Sequence, residues 1–245
     1  MITLKKYALI GALLLSSCAS NMTDPWAGIG AGATTIGTST GWAFYGATTE
    51  AEGTGGVLSG ETGTDDTDLT PNYGGALKVN HFITDDFSLG LVYELRNFDA
   101  DPIAPLSAEL TPDAFTTHHF LLSSRYWLKP MGNDGRWKPF VGVDLGYIPE
   151  VNFGEVDVNY PGSGPGSVPN ERVTIVGSSY WTLGLVAGAS YMLREGLSLD
   201  MGAFYEFALT PGEDTLVFPS SGNATADVEV WAEGLVLFGG LTWYL

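Results

Sequence analysis

The feature that most constrains this chain is a period of two. Eight segments alternate apolar with small or polar residues, at about Thr40–Thr48, Tyr73–Phe82, Phe87–Phe98, Thr117–Leu128, Pro139–Ile148, Val173–Leu193, Leu197–Leu209 and Val228–Leu245. In the third, Leu89, Leu91, Tyr93 and Leu95 share a face opposite Ser88, Gly90, Glu94 and Arg96. In the seventh, Leu197, Leu199, Met201, Tyr205 and Phe207 oppose Ser198, Asp200, Gly202 and Glu206. Successive side chains of a strand point to opposite faces, so each segment reads as a strand with one apolar face. Most of them reach the roughly 9–11 residues that a membrane strand needs.

The first residues stand apart from this pattern. Lys5 and Lys6 precede an apolar run from Tyr7 to Leu15, followed by the small residues Ser16 and Ser17. That is the layout of a secretory signal, and the run is too short to cross a bilayer. Cys18 is the single cysteine of the 245 residues, so no internal disulfide explains it. Leu15-Ser16-Ser17-Cys18 resembles a bacterial lipobox, whose cysteine becomes the acylated first residue of the mature chain. Ala19 follows rather than Asp, and this resemblance implies sorting to the outer membrane. The expected organisation is a signal peptide over 1–17, a lipidated flexible leader over 18–38 and a transmembrane barrel over 39–245.

Beyond the signal, no apolar run reaches the roughly 18 residues of a membrane helix. Without a helix, a spanning chain must close its strands into a barrel, because lipid satisfies no backbone polar group. The connections agree. Ile83–Asp86, Lys129–Lys138 and Arg194–Gly196 are short, whereas about Thr49–Asn72, Asp99–Thr116, Pro149–Arg172 and Thr210–Asp227 are long. Strict alternation of short and long is what short periplasmic turns and long outer loops require. With eight strands, both termini fall on the periplasmic side. Charge sorts the same way. The long connections hold most of the acids, and Arg172 is the cation among them. Lys129, Arg136, Lys138 and Arg194 lie in the short turns. The formal charge of −18 argues against a nucleic-acid partner, whose phosphates need Lys and Arg.

The strand pattern, the segments Ile83-Thr84-Asp85-Asp86-Phe87-Ser88-Leu89-Gly90 and Lys138-Pro139-Phe140-Val141-Gly142-Val143, and the aromatic final strand resemble the small outer-membrane β-barrel superfamily, with its OmpA-type and OmpW-type members. The resemblance covers about Thr38 to Leu245. It departs at Leu245, where that family ends on Phe or Trp, and in the lipobox. It implies an all-β fold, an eight-stranded antiparallel up-and-down transmembrane barrel, in the outer membrane of a Gram-negative bacterium. The expected partners are outer-membrane lipid, lipopolysaccharide and the barrel-assembly machinery, with a monomer as the assembly. The OmpW-type likeness implies a conduit for small or apolar solutes.

Parity turns Lys78, Arg96 and Arg125 inward, together with Glu94, Asp144, Asp200 and Glu206. An eight-stranded barrel is just wide enough for side chains to fill it, and buried charges must pair. Three cations against four acids read either as a polar plug that fixes register or as a gate or proton-linked site. His118 and His119 are expected at the rim of the second outer loop. Adjacent strand residues face opposite ways, so the pair does not build one hydrolytic or metal site. Glu61–Asp68 resembles half of a calcium loop without the closing Glu and reads as a solvated acidic loop. Trp42, Tyr73, Tyr93, Tyr126, Trp127, Tyr147, Trp181, Tyr191, Tyr205 and Trp243 include candidates for interface belts. No catalytic residue, metal or cofactor is expected. The primary functional reading is a structural or interaction protein with a largely filled polar lumen. A narrow conduit is the alternative, and a lipid-modifying or proteolytic barrel the more distant one.

Overall fold

The computed structural model describes residues 24–106, 109–159, 171–219 and 223–245. Cys18 and the signal segment lie outside them. Among the described residues twelve strands run in chain order: β1 (Thr34–Gly55), β2 (Thr62–Thr84), β3 (Phe87–Ala100), β4 (Glu109–Pro112), β5 (Phe115–Trp127), β6 (Trp137–Ile148), β7 (Val151–Asn159), β8 (Glu171–Gly177), β9 (Tyr180–Arg194), β10 (Leu197–Ala208), β11 (Gly212–Phe218) and β12 (Ala224–Tyr244). Eight form a ring in the order β3-β2-β1-β12-β10-β9-β6-β5, and β5 returns to β3. All pairings are antiparallel, and the ring is an up-and-down barrel.

The outer wall of this ring is apolar. Leu77, Leu91, Phe120, Leu122, Leu185 and Leu237 all point outward and are exposed. Aromatic pairs bound this band. Tyr147 and Trp181 meet at 5.0 Å near one edge, Trp137 and Tyr191 at 4.9 Å near the other. The pairs are ten residues apart on β6 and on β9. That is roughly 33 Å along a strand and about 25 Å along the axis of a barrel tilted by about 40°, the height of an outer-membrane apolar band. Trp127, a belt candidate in the sequence, is instead inside. Its Nε1 donates to Ser88 Oγ at 3.0 Å, and its ring packs between Phe82 and Phe140.

Three strands far exceed what the band requires: β1 has 22 residues, β2 has 23 and β12 has 21. The long connections are therefore not loops. They extend these strands beyond the aromatic edge and add β4, β7, β8 and β11. The expected sixth segment is likewise two strands, because β8 stops at Gly177 and β9 begins at Tyr180. The extension has a core of its own, built from Leu58, Leu110, Val156, Val158, Leu216 and Phe218. Its strands still alternate. Val156 and Val158 face in, while Asp157 between them is exposed.

The short turns match their sequence signals. Gly132, Gly135 and Gly196 hold φ of 89°, 63° and 73°, the left-handed region that favours glycine. At this turn end the leader departs from expectation. β1 begins at Thr34, and residues 24–33 fold across the barrel mouth. Trp26 is buried, donates from Nε1 to Gly135 O at 3.0 Å, and meets Tyr244 edge-on at 5.9 Å. Phe82 N donates to Ala33 O at 2.9 Å and Ala31 N to Asp85 Oδ1 at 3.0 Å. Lys138, read as a turn cation, sits inside this mouth over the rings of Trp26, Phe82 and Trp127.

Candidate functional site

The interior of the ring carries the charges that parity turned inward. They form three groups rather than one network. Lys78 from β2 pairs with Asp200 from β10. Asp200 also accepts from Ser190 Oγ at 2.7 Å, Ser198 Oγ at 2.9 Å and Thr242 Oγ1 at 2.6 Å. Arg125 from β5 grips both oxygens of Asp144 from β6, at 2.9 Å for the longer contact. Arg96 from β3 reaches Glu94 two residues away, Nε to Oε2 at 2.9 Å, and crosses the lumen to Glu206. Each carboxylate is held by several donors, as buried charge requires.

The Arg96 group includes two residues that the sequence reading did not assign to it. Tyr45 OH accepts from Arg96 and donates to Glu206. His119 is 2% exposed, not a rim residue. Its Nε2 bonds Thr117 Oγ1 at 2.8 Å, and its Nδ1 lies 3.7 Å from Glu206 Oε1. Thr182 Oγ1 completes Glu206 at 2.6 Å. His118, facing the other way, is exposed and bonds Tyr93 OH at 2.8 Å. Parity already implied that Tyr45, next to outward Phe44, points inward.

The lumen is not completely filled. A cavity of about 70 Å³ lies among Lys78, Asn80, Ser123, Arg125, Asp144 and Asp200. A second, also of about 70 Å³, lies beyond the Arg96 group inside the extension. Its walls are Leu69, Phe98, Ile103, Leu110, Phe115, Tyr180 and Val230, with Ala47 and Ile175. Tyr45, Thr117 and His119 form its floor. The two cavities match in size and differ in chemistry: one is charged, the other apolar.

The wall beside that floor has a lapse. β1 pairs with β2 up to Gly41↔Gly74 and resumes only at Tyr45↔Leu69. The β2–β3 ladder shifts register at the same place, between Pro71 and Gly74. Proline has no N–H to give a ladder, which accounts for a break here. A small cavity of about 30 Å³ opens at this level among Gly41, Ala43, Gly74, Glu94 and Arg96. The acids read as half a calcium loop belong to strand β2. Asp66 Oδ1 accepts from Thr48 Oγ1 at 2.7 Å and Asp65 Oδ2 from Ala104 N at 2.6 Å. Among the described residues, no three His, Cys, Asp or Glu gather to hold a metal.

No model of a known protein family matches this chain, and no curated protein does. Solved structures do. The outer membrane protein OprG from Pseudomonas aeruginosa superposes with a TM-score of 0.60 at 18% identity, covering 89% of this chain and 98% of that one. The outer membrane protein AlkL gives 0.49 at 14% identity over 89% and 92% of the two chains. Neisserial surface protein A gives 0.45 at 14% identity over 86% and 98%. The likeness to OprG carries the fold: this chain has the architecture of the small eight-stranded outer-membrane β-barrels.

Proposed function

We propose that this protein is an outer-membrane conduit for small apolar solutes, with its extension outside the cell and its N-terminus in the periplasm. Signal cleavage leaves Cys18 as a lipid anchor beneath the barrel. The apolar cavity inside the extension carries this reading. A surface built only to fix or to bind would close such a space with side chains, because a void forfeits dispersion contacts. The charged groups below it close the direct route to the periplasm. Arg96, Tyr45 and Glu206 bridge the lumen, and Trp26 covers the turn end. An apolar molecule gains nothing by crossing that charged interior. The lapse between β1 and β2 offers the other way out, sideways, between outward-facing Trp42 and Phe44 and into lipid.

Cells producing the protein should take up radiolabelled octane faster than empty-vector cells. Ala47→Trp, which fills the cavity from its wall, should remove that gain while the barrel keeps its heat-modifiable gel shift. Equal uptake by wild type and empty vector would leave a structural or interaction role at the cell surface as the better reading. The anchor is tested separately. A clickable palmitate analogue should label the wild type and not Cys18→Ala, and label on the variant would exclude this site.

A further inference from the structure

We propose that apolar solutes reach the cavity through the seam between β8 and β11, a portal in the wall of the extension. The inference rests on the conduit reading and adds where the solute enters. Apart from the irregular stretch of β2 near Pro71, ring neighbours are joined by ladders. Here the β9–β10 ladder runs from Arg194 to Thr182 and ends when Leu209 N donates to Trp181 O at 2.7 Å. Above it, Trp181 N turns to the side chain of Thr210, Oγ1 at 3.0 Å. Pro211 comes next and has no N–H, so the ladder stops for a covalent reason.

Beyond Pro211, β8 and β11 face each other without strand pairing among the described residues. Each pairs only on its other side, β8 with β7 and β11 with β12. Among the described residues three hydrogen bonds bridge the seam, and two of them depend on side chains. Ser178 N donates to Glu213 O at 2.8 Å. Glu213 N donates to Ser178 Oγ at 2.9 Å, and Val176 N to Asp214 Oδ2 at 2.9 Å. All three lie where water competes for them, so they open more readily than a ladder.

The cavity borders this line: Ile175, Gly177, Gly212 and Asp214 belong both to its wall and to the seam. There is room here. A Cβ on Gly212 would find its nearest neighbour, Tyr180 Cδ1, at an ordinary 3.5 Å. The extension has a second seam, where β2 meets the segment before β4, but there a Cβ on Gly63 would collide with the Pro105 carbonyl. Size also demands a wall that yields. An apolar cavity that binds benzene measures about 150 Å³, against about 70 Å³ here. The solutes that suit such a slot are slender and apolar, short alkyl chains before aromatic rings.

Octane uptake tests the portal with the full-length protein in cells. Gly212→Leu should lower uptake to the empty-vector rate while the gel shift persists. Ser178→Cys with Glu213→Cys should do the same when oxidised and recover on reduction, so folding and gating are separated within one protein. Thr215→Cys with Asp227→Cys, facing each other in the β11–β12 ladder, should take up octane at the wild-type rate in both states. If wild type outpaces empty vector and the oxidised seam pair matches wild type, the portal is elsewhere and the conduit stands. If wild type itself does not outpace empty vector, the conduit reading falls and the portal with it.

Discussion

The belted barrel and the extension share β1, β2 and β12, yet their two faces are exchanged. Within the belts, leucines and aromatics point outward and Lys78, Arg96, Arg125 and their acids point inward. Above the belts, Glu50, Glu52, Asp66 and Glu229 are exposed, and Ala51, Val156, Leu216 and Phe218 are buried. The two regions use the same backbone geometry, so the difference lies in the surroundings. Lipid solvates an apolar exterior and leaves polar groups to find partners within. Water solvates carboxylates and drives apolar side chains together. One strand such as β1 crosses from one regime to the other with its pairing to β12 continuous from Thr35 to Gly53.

Charge placement gives the largest effect by which to test this comparison. Arg96→Ala strands Glu206, which is 1% exposed, without its cation. Removing one partner of a buried pair typically costs about 3–5 kcal/mol. The temperature at which the barrel loses its gel-shifted form should fall accordingly, and Arg96→Met with Glu206→Met should restore much of it. An unchanged transition in Arg96→Ala would mean that the inner charges do not hold the ring.

The outer faces should answer differently to one substitution. Leu91 on the belted wall is 68% exposed, and Val217 on the extension is 47% exposed. Leu91→Arg puts a charge in lipid, at about 2–4 kcal/mol near the midplane of a barrel's apolar band. Insertion into lipid vesicles should slow and the folded fraction in urea titrations should drop. Val217→Arg meets water and should change neither. Similar losses at both positions would erase the boundary drawn here at the Tyr147–Trp181 level.

The smallest effect is on the exposed pair at the β7–β8 hairpin. Arg172 donates to both oxygens of Asp157, at 2.5 and 3.3 Å, and holds its carboxyl below the usual carboxylate range. A folded value below the unfolded one contributes stability above the unfolded value and loses it as pH falls through the folded one. NMR titration of Asp157 should therefore show a midpoint below that of a free aspartate. Arg172→Gln should raise it, with little change in the melting of an exposed pair. An unshifted Asp157 would show that the hairpin closes without this pair.

Much of this was legible in the chain. Period two read off Phe87–Phe98 and Leu197–Leu209 gave β3 and β10 to within a few residues. The same parity put the seven charged residues on the inner face. The extension was missed because its strands are marked by acids. Val156-Asp157-Val158 and Ala224-Thr225-Ala226-Asp227-Val228 alternate as well as any wall segment, but their polar faces, which carry Asp157, Thr225 and Asp227, read as solvated loop. His119 was misjudged for a related reason. Extending β5 to Phe115 and β3 to Ala100 moves the rim away from it and leaves it inside.

What the sequence determined by itself is the closed barrel, since alternation over strand-length segments without a membrane helix leaves lipid no other spanning structure. It also determined which side chains face inward, because parity is a local property of a strand. Tertiary structure decided the partners. Arg96 finds Glu206 110 positions away, and Lys78 finds Asp200 122 away, only because closure brings β2 and β3 opposite β10. It decided as well that residues 24–33 cover the mouth and that the space above Tyr45 stays apolar. Both depend on which strands outrun the membrane, and that is set by register around the ring rather than by any one segment.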